Sequence, residues 1–444
     1  MQNTSYLYHA RRTLVLAWPM ILSRVGLVTM SMMDVIVLGR AGAEELANYV
    51  LGQAIYDSLI AMSVGLMLGV PVLVAREMGA ENAPAAPVIL RRGLVLALAL
   101  GLGLCALLQF AGGLYMLTGQ SAELAARAAS VTRILGLALP LVGLYYVCAS
   151  YLEAQHRPMP GFVAIACANV LNLLFNIVLV LGLGPFPALG APGCAMATVF
   201  TFALSAIGLM IYLRRDIRGR LWSVANVPPV REMVRIGLAS GSSFLFEATA
   251  FAVLVLIIGR LGPLALAAHG VLFQFLAFTF MIAFGIAAAT QVRVGNAWGR
   301  QDASGMARAG WTGLALSTLA TGALTLVFAL EREGFVRFFT TDEAVVAAAL
   351  PVFFWIMLAT IFDGGQTVMN SACRGRGDTW VPTGLHFLNY AVVMVPSAWV
   401  LAISFGQGLA GIYQGILLAS VLSVGLMALR FHVLTQRLEP RTTG

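Results

Sequence analysis

Charged side chains are what this sequence has least of. Only 10% of its 444 residues are charged, and all 27 basic residues are arginines, because lysine is absent altogether. Soluble domains carry roughly 25% charged residues, and so few charges cannot cover a surface that faces water. A soluble protein of about three domains, which the length alone would suggest, is therefore excluded. We expect lipid to surround most of the chain.

Cysteines and catalytic motifs are also scarce. The five cysteines lie in or beside apolar runs without a Cys-x-x-Cys spacing, so neither a disulfide framework nor a zinc site is indicated. The chain has no Walker loop, no His-Glu-x-x-His and no Gly-x-Ser-x-Gly, and we predict neither an enzyme nor a bound cofactor. The first apolar block is too long for a cleavable signal peptide and lacks a small-residue cleavage site.

Long apolar runs dominate the chain instead. Apolar residues make up 60% of it, and the mean hydropathy is +0.88. A bilayer core about 30 Å thick needs about 20 apolar residues per helix. Twelve runs meet this need, near residues 13–38, 46–70, 90–112, 128–152, 160–182, 190–213, 234–258, 264–290, 309–330, 345–371, 381–404 and 408–432. We therefore predict an all-α integral membrane protein with twelve transmembrane helices.

The placement of the arginines predicts the orientation of these spans. With the N-terminus inside, 20 arginines fall in inner segments and 6 in outer segments. This asymmetry follows the positive-inside rule for a protein with both termini in the cytoplasm. The arginines lie between apolar blocks rather than in one patch, so the net charge of +8 indicates topology and no nucleic-acid partner. We expect a location in the plasma membrane, which in bacteria is the inner membrane.

Weak internal repeats predict two related halves. Gly-Arg-Ala-Gly at 39–42 recurs as Gly-Arg-Leu-Gly at 259–262, and Gly79 recurs as Gly299 at the same spacing. Six spans per half is an even number, which predicts parallel repeats that rock about a site between them. We predict two pseudo-symmetric six-helix bundles, with an N-terminal lobe at 1–213, a cytoplasmic inter-lobe loop at 214–233 and a C-terminal lobe at 234–444.

Four acids interrupt the apolar spans, namely Asp34, Asp57, Glu247 and Asp363. A charge at the bilayer centre costs at least ~2.5 kcal/mol, so such side chains should face the protein interior and are functional candidates. A carboxyl group in a low dielectric can exchange a proton, Na⁺ or a cationic ligand. The alternatives are a helix-end acid that reaches the headgroups for Asp34, and neutral carboxyls hydrogen-bonded for packing for Glu247 and Asp363.

Arg24 and Asp57 lie at similar depth, each eleven residues into its predicted span from opposite sides. One interpretation is an interior salt bridge between the first two spans. The other is a role in steering a proton site, because a nearby cation stabilises a carboxylate.

Polar amides and aromatic side chains accompany the acids. Asn169, Asn172 and Asn176 are spaced to share one face of the fifth span. They serve either interhelical hydrogen bonding or an ion site. Candidates for the lining of a substrate cavity are Phe251, Phe280 and Gln274, because aromatic ring faces attract organic cations.

Together these features resemble a known transporter family over nearly the whole length. The matching features are Pro19 fifteen residues before Asp34, Asn172 with Asn176, Glu247 followed by Phe251, Ala268-His269, and Asp363 followed by Arg-Gly-Arg-Gly-Asp-Thr at 374–379. In these positions the chain resembles the multidrug and toxic compound extrusion (MATE) family, NorM type.

The resemblance implies an antiporter that exports lipophilic, mostly cationic compounds in exchange for H⁺ or Na⁺ by alternating access. It implies one ion site at Asp34 with Asn172 and Asn176, and a second at Glu247 and Asp363, where Na⁺ is the one metal ion expected. Small organic cations and membrane lipid are the expected partners, and the expected state is a monomer. Arg24 and Asp57 depart from the family, which usually has uncharged residues there.

A flippase for a lipid-linked precursor, of the same broad superfamily, is the alternative function. Such a protein needs arginines in its cavity to bind a pyrophosphate. Only Arg24 and Arg133 are candidates, against four intramembrane acids.

Overall fold

The computed structural model describes residues 6–117, 122–183, 187–218, 226–340 and 342–436. Residues 219–225 of the predicted inter-lobe loop and the terminal residues 1–5 and 437–444 lie outside this part. Within the described residues all secondary structure is helical. Twelve helices are long and apolar enough to cross a membrane, which confirms the predicted fold class.

The twelve long helices follow the predicted spans in order. The first six are α1 (Tyr6–Ala41), α2 (Glu44–Gly79), α3 (Ala85–Leu108), α4 (Ala122–Ala154), α5 (Met159–Leu181) and α6 (Gly190–Tyr212). The second six are α7 (Val230–Arg260), α8 (Pro263–Gly299), α9 (Ala303–Leu330), α10 (Glu343–Gly375), α11 (Trp380–Ser404) and α12 (Gly408–Gln436). Short helices at Ala111–Leu117, Arg214–Ile217 and Arg332–Phe339 lie between them. Several helices, notably α1, α2 and α8, extend beyond the apolar runs because polar residues continue the helix outside the hydrocarbon.

Capping residues explain where several helices begin and end. Asp302 accepts a hydrogen bond from the backbone N of Gly305 at 2.8 Å before α9. Asp342 does the same for Ala344 at 2.9 Å before α10. Gly182 ends α5 with a left-handed φ of 73°, a conformation that glycine adopts without strain. Asp302 and Asp342 are therefore N-caps and are separate from the acids within the spans.

Helix α11 is irregular along its second half. It is α-helical at Trp380–Phe387, π-helical at Leu388–Met394, α-helical at Val395–Trp399 and π-helical again at Val400–Ser404. Pro396 lies inside this region, where its missing N–H removes one regular helix hydrogen bond. Wide π turns occur often at functional positions, and both functional features of α11 described below lie in this half.

Contacts divide the described chain into two compact units. The C-terminal unit consists of residues 6–24, 75–81 and 242–436, and the N-terminal unit consists of residues 25–74 and 82–241 with the gaps given above. This division differs from the predicted lobes in chain order, since the start of α1 and the end of α2 belong with the second half. The lobe boundaries at 213 and 234 stay a prediction about the order of the spans.

Residues of the C-terminal unit show why the start of α1 belongs there. The Arg293 guanidinium on α8 donates to the His9 backbone oxygen at 2.8 Å and also hydrogen-bonds the Thr13 hydroxyl. Further along, Gly285 of α8 lies directly against the backbone of Ile21. Small residues allow such close approach of helices in membranes, where packing replaces the hydrophobic effect between helices.

A reciprocal contact joins the end of α2 to the end of α8. A Cβ on Gly79 would overlap the Asn296 backbone oxygen, and a Cβ on Gly299 would overlap the Arg76 backbone oxygen. The two glycines are the repeat partners noted in the sequence, and Arg76 and Asn296 are separated by the same stretch of chain. Pseudo-two-fold related helices thus contact each other through equivalent residues, as expected for an isologous contact.

The close approach at Gly285 predicts that a larger side chain at this position lowers the stability of the protein. A Cβ there would lie 2.7 Å from the backbone N and Cα of Ile21, whereas a Cβ on Gly270 of the same helix meets nothing within 4 Å. We expect Gly285→Ala to lower stability by about 1–3 kcal/mol through overpacking. Gly270→Ala should be neutral or stabilising by up to about 1 kcal/mol, because alanine favours the helix. Thermal unfolding of both purified variants in detergent measures the difference, and equal midpoints would contradict the close packing.

Candidate functional site

A hydrogen-bonded network surrounds Asp34 in the N-terminal unit. Asp34 is 3% exposed, although it lies on a long apolar helix. Its Oδ1 accepts from Asn176 Nδ2 at 2.6 Å, and its Oδ2 accepts from the Tyr49 hydroxyl at 3.2 Å. The Thr198 hydroxyl approaches the same Oδ2 at 3.5 Å. Helices α1, α2, α5 and α6 therefore meet at one carboxyl group, which faces protein and not headgroups.

The amides of α5 continue this network. Asn176 Nδ2 also donates to Asn172 Oδ1 at 2.9 Å, as their spacing of one helical turn allows. The Asn176 Oδ1 atom is buried and has no hydrogen-bond partner among the described residues. Asn169 lies apart from the carboxyl, since its Nδ2 donates to the Gly26 backbone oxygen at 3.0 Å. Asn172 and Asn176 thus belong to the acid site, and Asn169 joins α5 to α1.

A second network lies in the C-terminal unit around Asp363, which is 5% exposed. Its Oδ1 accepts from Gln366 Nε2 at 2.6 Å, and the same Nε2 donates to the Tyr390 hydroxyl at 2.8 Å. Glu247 of α7 interacts electrostatically with the Tyr390 hydroxyl and with Asp363. Tyr390, in the first π-helical stretch of α11, therefore lies close to both carboxyl groups predicted to act together.

Glu247 lies at the wall of a cavity within the C-terminal unit. Polar groups in the wall include Ser243, Asn370, Arg374 and His386, and aromatic rings include Phe280. Asn370 Nδ2 and His386 Nε2 are 3.0 Å apart. The cavity thus combines one acid, one arginine, neutral hydrogen-bonding groups and ring faces. Its volume is about 10 Å³, which is room for about one water molecule, so a larger molecule would fit only after the cavity widened.

Phenylalanine rings at this cavity contact one another and two arginine side chains. Phe280 stacks on Phe284 with centroids 5.8 Å apart and an interplanar angle of 12°. The buried Arg24 guanidinium lies over the Phe284 ring at 5.3 Å, and Arg374 lies over Phe244 at 5.8 Å. Arg24 is therefore stabilised partly by a cation–π contact, within the unit to which the start of α1 belongs.

The other predicted site residues are found in different places. Asp57 is exposed at the side of α2 and accepts from Gln53 Nε2 at 3.2 Å. Phe251 packs against Phe273 at 6.2 Å, and Gln274 is exposed on α8. Arg24 and Asp57 belong to different units, and their salt bridge stays a prediction. Of the three predicted cavity residues, only Phe280 lines the cavity that contains Glu247.

His269 forms a structural hydrogen bond. Its Nδ1 lies 2.8 Å from the Tyr413 hydroxyl, and its ring packs against Phe273 with centroids 5.7 Å apart. The histidine is buried in the apolar core of the C-terminal unit, where a hydrogen bond compensates for lost hydration.

Sequence analysis missed four residues of the two networks, namely Tyr49, Thr198, Gln366 and Tyr390. Gln366 carried a signal, because it follows Asp363 by one helical turn within an apolar span. Tyr390 follows Asn389 in the same kind of run, and this polar pair could have been noticed. Tyr49 and Thr198 are ordinary residues for helices at a membrane interface, and only tertiary packing brings them to Asp34.

The atoms that could bind a cation in both networks are mostly oxygens. Carboxylate, amide and hydroxyl oxygens suit hard cations such as Na⁺, and the same carboxyl groups can bind protons. Among the described residues no three His, Cys, Asp or Glu side chains lie together as a metal site. A cation at either network would therefore be bound by one or two carboxylates with help from amides and hydroxyls.

Two buried acid networks in a bundle of twelve apolar helices define a polytopic integral membrane protein with ionisable groups inside its membrane domain. The MatE family model matches the chain twice, at residues 19–178 and 240–400. The chain belongs to the MatE family. The second match is displaced from the first by almost the same stretch of chain that separates Gly79 from Gly299, in agreement with the repeat seen in the sequence.

Relatives and a solved structure extend the comparison over the whole chain. It is 39% identical to a probable multidrug resistance protein NorM of Caulobacter vibrioides, covering 95% of this chain and 91% of that protein. It is 31% identical to a protein of the same name in Brucella suis, covering 94% and 92%. A structure described as the outward-facing conformation of a multidrug resistance MATE family transporter matches with a TM-score of 0.89 at 18% identity, covering 97% of each chain.

The contact between Asp34 and Asn176 should appear as an energetic coupling. We expect Asp34→Asn and Asn176→Ala to be non-additive by about 0.5–3 kcal/mol, because the two side chains share one buried network. Asn169→Ala combined with Asp34→Asn should add within about 0.5 kcal/mol, since Asn169 bonds Gly26 instead. Unfolding midpoints of the single and double variants in detergent provide the cycle, and additivity for Asn176 would contradict the network.

Proposed function

We propose that the protein is a multidrug efflux transporter that exports lipophilic, mostly cationic compounds in exchange for H⁺ or Na⁺ by alternating access. The observation that carries this proposal is the grouping of acids in the C-terminal unit, where Gln366 bonds both Asp363 and Tyr390 and where Glu247 interacts electrostatically with Asp363 and lines a small aromatic cavity. An acid within the membrane destabilises the protein. A pair of such acids next to a cavity is therefore best explained by a function. The multidrug resistance function named for the NorM relatives supports the same conclusion.

The two networks serve as separate ion sites in this proposal. Asp34 in the N-terminal unit accepts hydrogen bonds from two other helices, so an arriving proton or Na⁺ competes with those donors. The Glu247–Asp363 pair lies in the other unit. Occupancy of either site changes which helices are held together, and this difference between states is what biases a conformational equilibrium.

Membrane energetics constrain the coupling. One cation that enters at a potential of 100 mV gains ~2.3 kcal/mol, and expelling a monovalent drug cation costs the same amount. One-for-one exchange is therefore electroneutral and is driven by the ion gradient alone, at ~1.36 kcal/mol per pH unit for protons. Export against a steep drug gradient needs more than one ion per cycle. The three carboxyl groups of Asp34, Glu247 and Asp363 could together bind more than one ion.

Two buried arginines of the C-terminal unit favour a second candidate, the flippase for a lipid-linked precursor. Arg374 lines the cavity of Glu247, and Arg24 lies over Phe284 next to it, so an anionic headgroup has possible partners. Arg133 does not add to this set, because it is exposed in the N-terminal unit and its Nε donates to the Gln109 backbone oxygen at 3.2 Å. Binding of an anionic lipid precursor compared with a cationic dye separates the two functions.

The remaining assignments concern the cellular setting. We place both termini in the cytoplasm on the strength of the arginine asymmetry. The bacterial NorM relatives support a location in the bacterial inner membrane, and we propose that the protein is a monomer. The transport cycle requires no enzymatic step and no cofactor in this proposal. The predicted lobes at 1–213 and 234–444 represent the two halves that move against each other.

Neutralising the linked acids should abolish coupled export. We expect Glu247→Gln and Asp363→Asn each to lower efflux at least ten-fold, because an amide keeps the shape but cannot exchange a proton or carry the charge that attracts Na⁺. Dye efflux from energised vesicles, with Na⁺ and pH gradients imposed separately, measures this and identifies the ion.

A matched control lies on the same helix as Glu247. Glu232 is in the first turn of α7, outside the apolar run, and Glu232→Gln should retain wild-type efflux. Wild-type rates in both acid variants would exclude the assignment.

Phe280 should contribute to substrate affinity. Its ring lines the cavity with Glu247, whereas Phe278 on the same helix is 38% exposed. Phe280→Ala should raise the dye KM roughly 2- to 30-fold, which corresponds to a cation–π contact of about 0.5–2 kcal/mol. Phe278→Ala should leave KM unchanged, and equal effects of the two substitutions would show that the cavity does not bind the dye.

A further inference from the structure

A second cavity lies on the C-terminal unit, and none of its lining residues belongs to either acid network. We name it the α7–α11 groove, since it runs between the end of α7 and the irregular half of α11. Its lining includes Leu256, Ile257, Arg260, Pro396, Trp399 and Val400. The volume is about 510 Å³, within the range of roughly 300–1,000 Å³ that is typical of small-ligand pockets.

The groove is apolar and faces outward. Leu256 is 72% exposed and Val400 is 41% exposed, although both lie on helices apolar enough to cross a membrane. An apolar side chain exposed on such a helix is more stable in contact with lipid than with water. An acyl chain is therefore the molecule that reaches this groove at the highest local concentration.

One cation lies at the end of the groove. The Arg260 guanidinium is 5.0 Å from the centroid of the Trp399 ring, and within the described residues it forms no ion pair with an acid. Arg260 is the last residue of α7, and Trp399 lies close to the end of α11. Arginine and tryptophan at the ends of membrane helices lie at headgroup depth.

The irregular geometry of α11 coincides with the groove. Pro396 and Trp399 lie in the short α-helical segment between the two π-helical stretches, and Val400 begins the second one. A π turn contains more residues than an α turn, so the side chains here are offset from a regular helical face.

We propose that the α7–α11 groove binds an anionic phospholipid, with an acyl chain along the apolar wall and the phosphate at Arg260. An unpaired guanidinium at headgroup depth attracts a phosphate, and it repels the lipophilic cations that the transporter is proposed to export. A net negative headgroup is preferred over a zwitterionic one, because the latter carries its own compensating ammonium group. This site is independent of the transport assignment, since it involves neither acid network.

Trp399 provides a direct probe, because bromine atoms on an acyl chain quench tryptophan fluorescence on contact. The full-length protein is reconstituted in dibrominated phosphatidylglycerol or dibrominated phosphatidylcholine, mixed with unbrominated lipid. The chain has seven tryptophans, so the signal of Trp399 is obtained as the difference between wild type and Trp399→Phe. We expect phosphatidylglycerol to quench this signal with a relative affinity roughly five-fold above that of phosphatidylcholine, as for one basic residue near an anionic lipid.

Three variants decide the role of Arg260. Arg260→Gln should abolish the preference for phosphatidylglycerol, and Arg260→Lys should keep most of it, because the charge remains. Arg332 is the matched control, since it is another arginine of a predicted outer segment but does not line the groove. Arg332→Gln should keep the full preference.

Several outcomes would overturn the proposal. Equal quenching by the two brominated lipids in the wild type, or an unchanged preference in Arg260→Gln, would show that no anionic headgroup is bound there. Displacement of the brominated lipid by a lipophilic cationic dye would identify the groove as a drug site instead. Because the readout is fluorescence and not efflux, failure here is distinguishable from failure of the transport assignment.

Discussion

Polar groups within a bilayer are stabilised mainly by partners inside the protein, and this constraint shapes both acid networks. Hydrocarbon offers no hydrogen bonds, so an unsatisfied polar group costs several kcal/mol. Asp34 accordingly collects donors from two neighbouring helices, and Asp363 is bonded to Gln366, which continues to Tyr390. Both networks are compact because lipid offers their polar groups no other partners.

The internal repeat of the sequence is also visible in how the helices pack. The family model matches the two halves of the chain in turn, and the repeat partners Gly79 and Gly299 pack reciprocally against the backbones of Asn296 and Arg76. Yet the two halves do not carry equivalent chemistry. One acid network is built around a single aspartate with asparagines, and the other around a glutamate and an aspartate that both lie close to a tyrosine. The two halves thus share this glycine contact and differ in their polar interior.

Prediction from sequence succeeded where the signal is local. The number and order of the spans followed from apolar runs, and the pairing of Asn172 with Asn176 followed from helical spacing. Gln366 could have been included, since it lies one turn from Asp363. Tyr49 and Tyr390 could not be assigned to the acid networks in this way. Tyrosines are common in membrane helices, and nothing in the sequence indicates which of them approaches an acid. Of Phe251, Phe280 and Gln274, only Phe280 reached the cavity of Glu247, since rotation of a helix within the bundle is not encoded by its own hydropathy.

The sequence by itself determined that this protein lies in a membrane and how many times it crosses. These properties depend on composition and on spacing within single helices, where the free energy of leaving water is additive along the chain. Only the tertiary structure decided which hydroxyls and amides surround each acid, and that the start of α1 belongs with the second half of the chain. Such choices depend on close contacts between distant segments, and a glycine or a tyrosine contributes to them only when a particular neighbour is present.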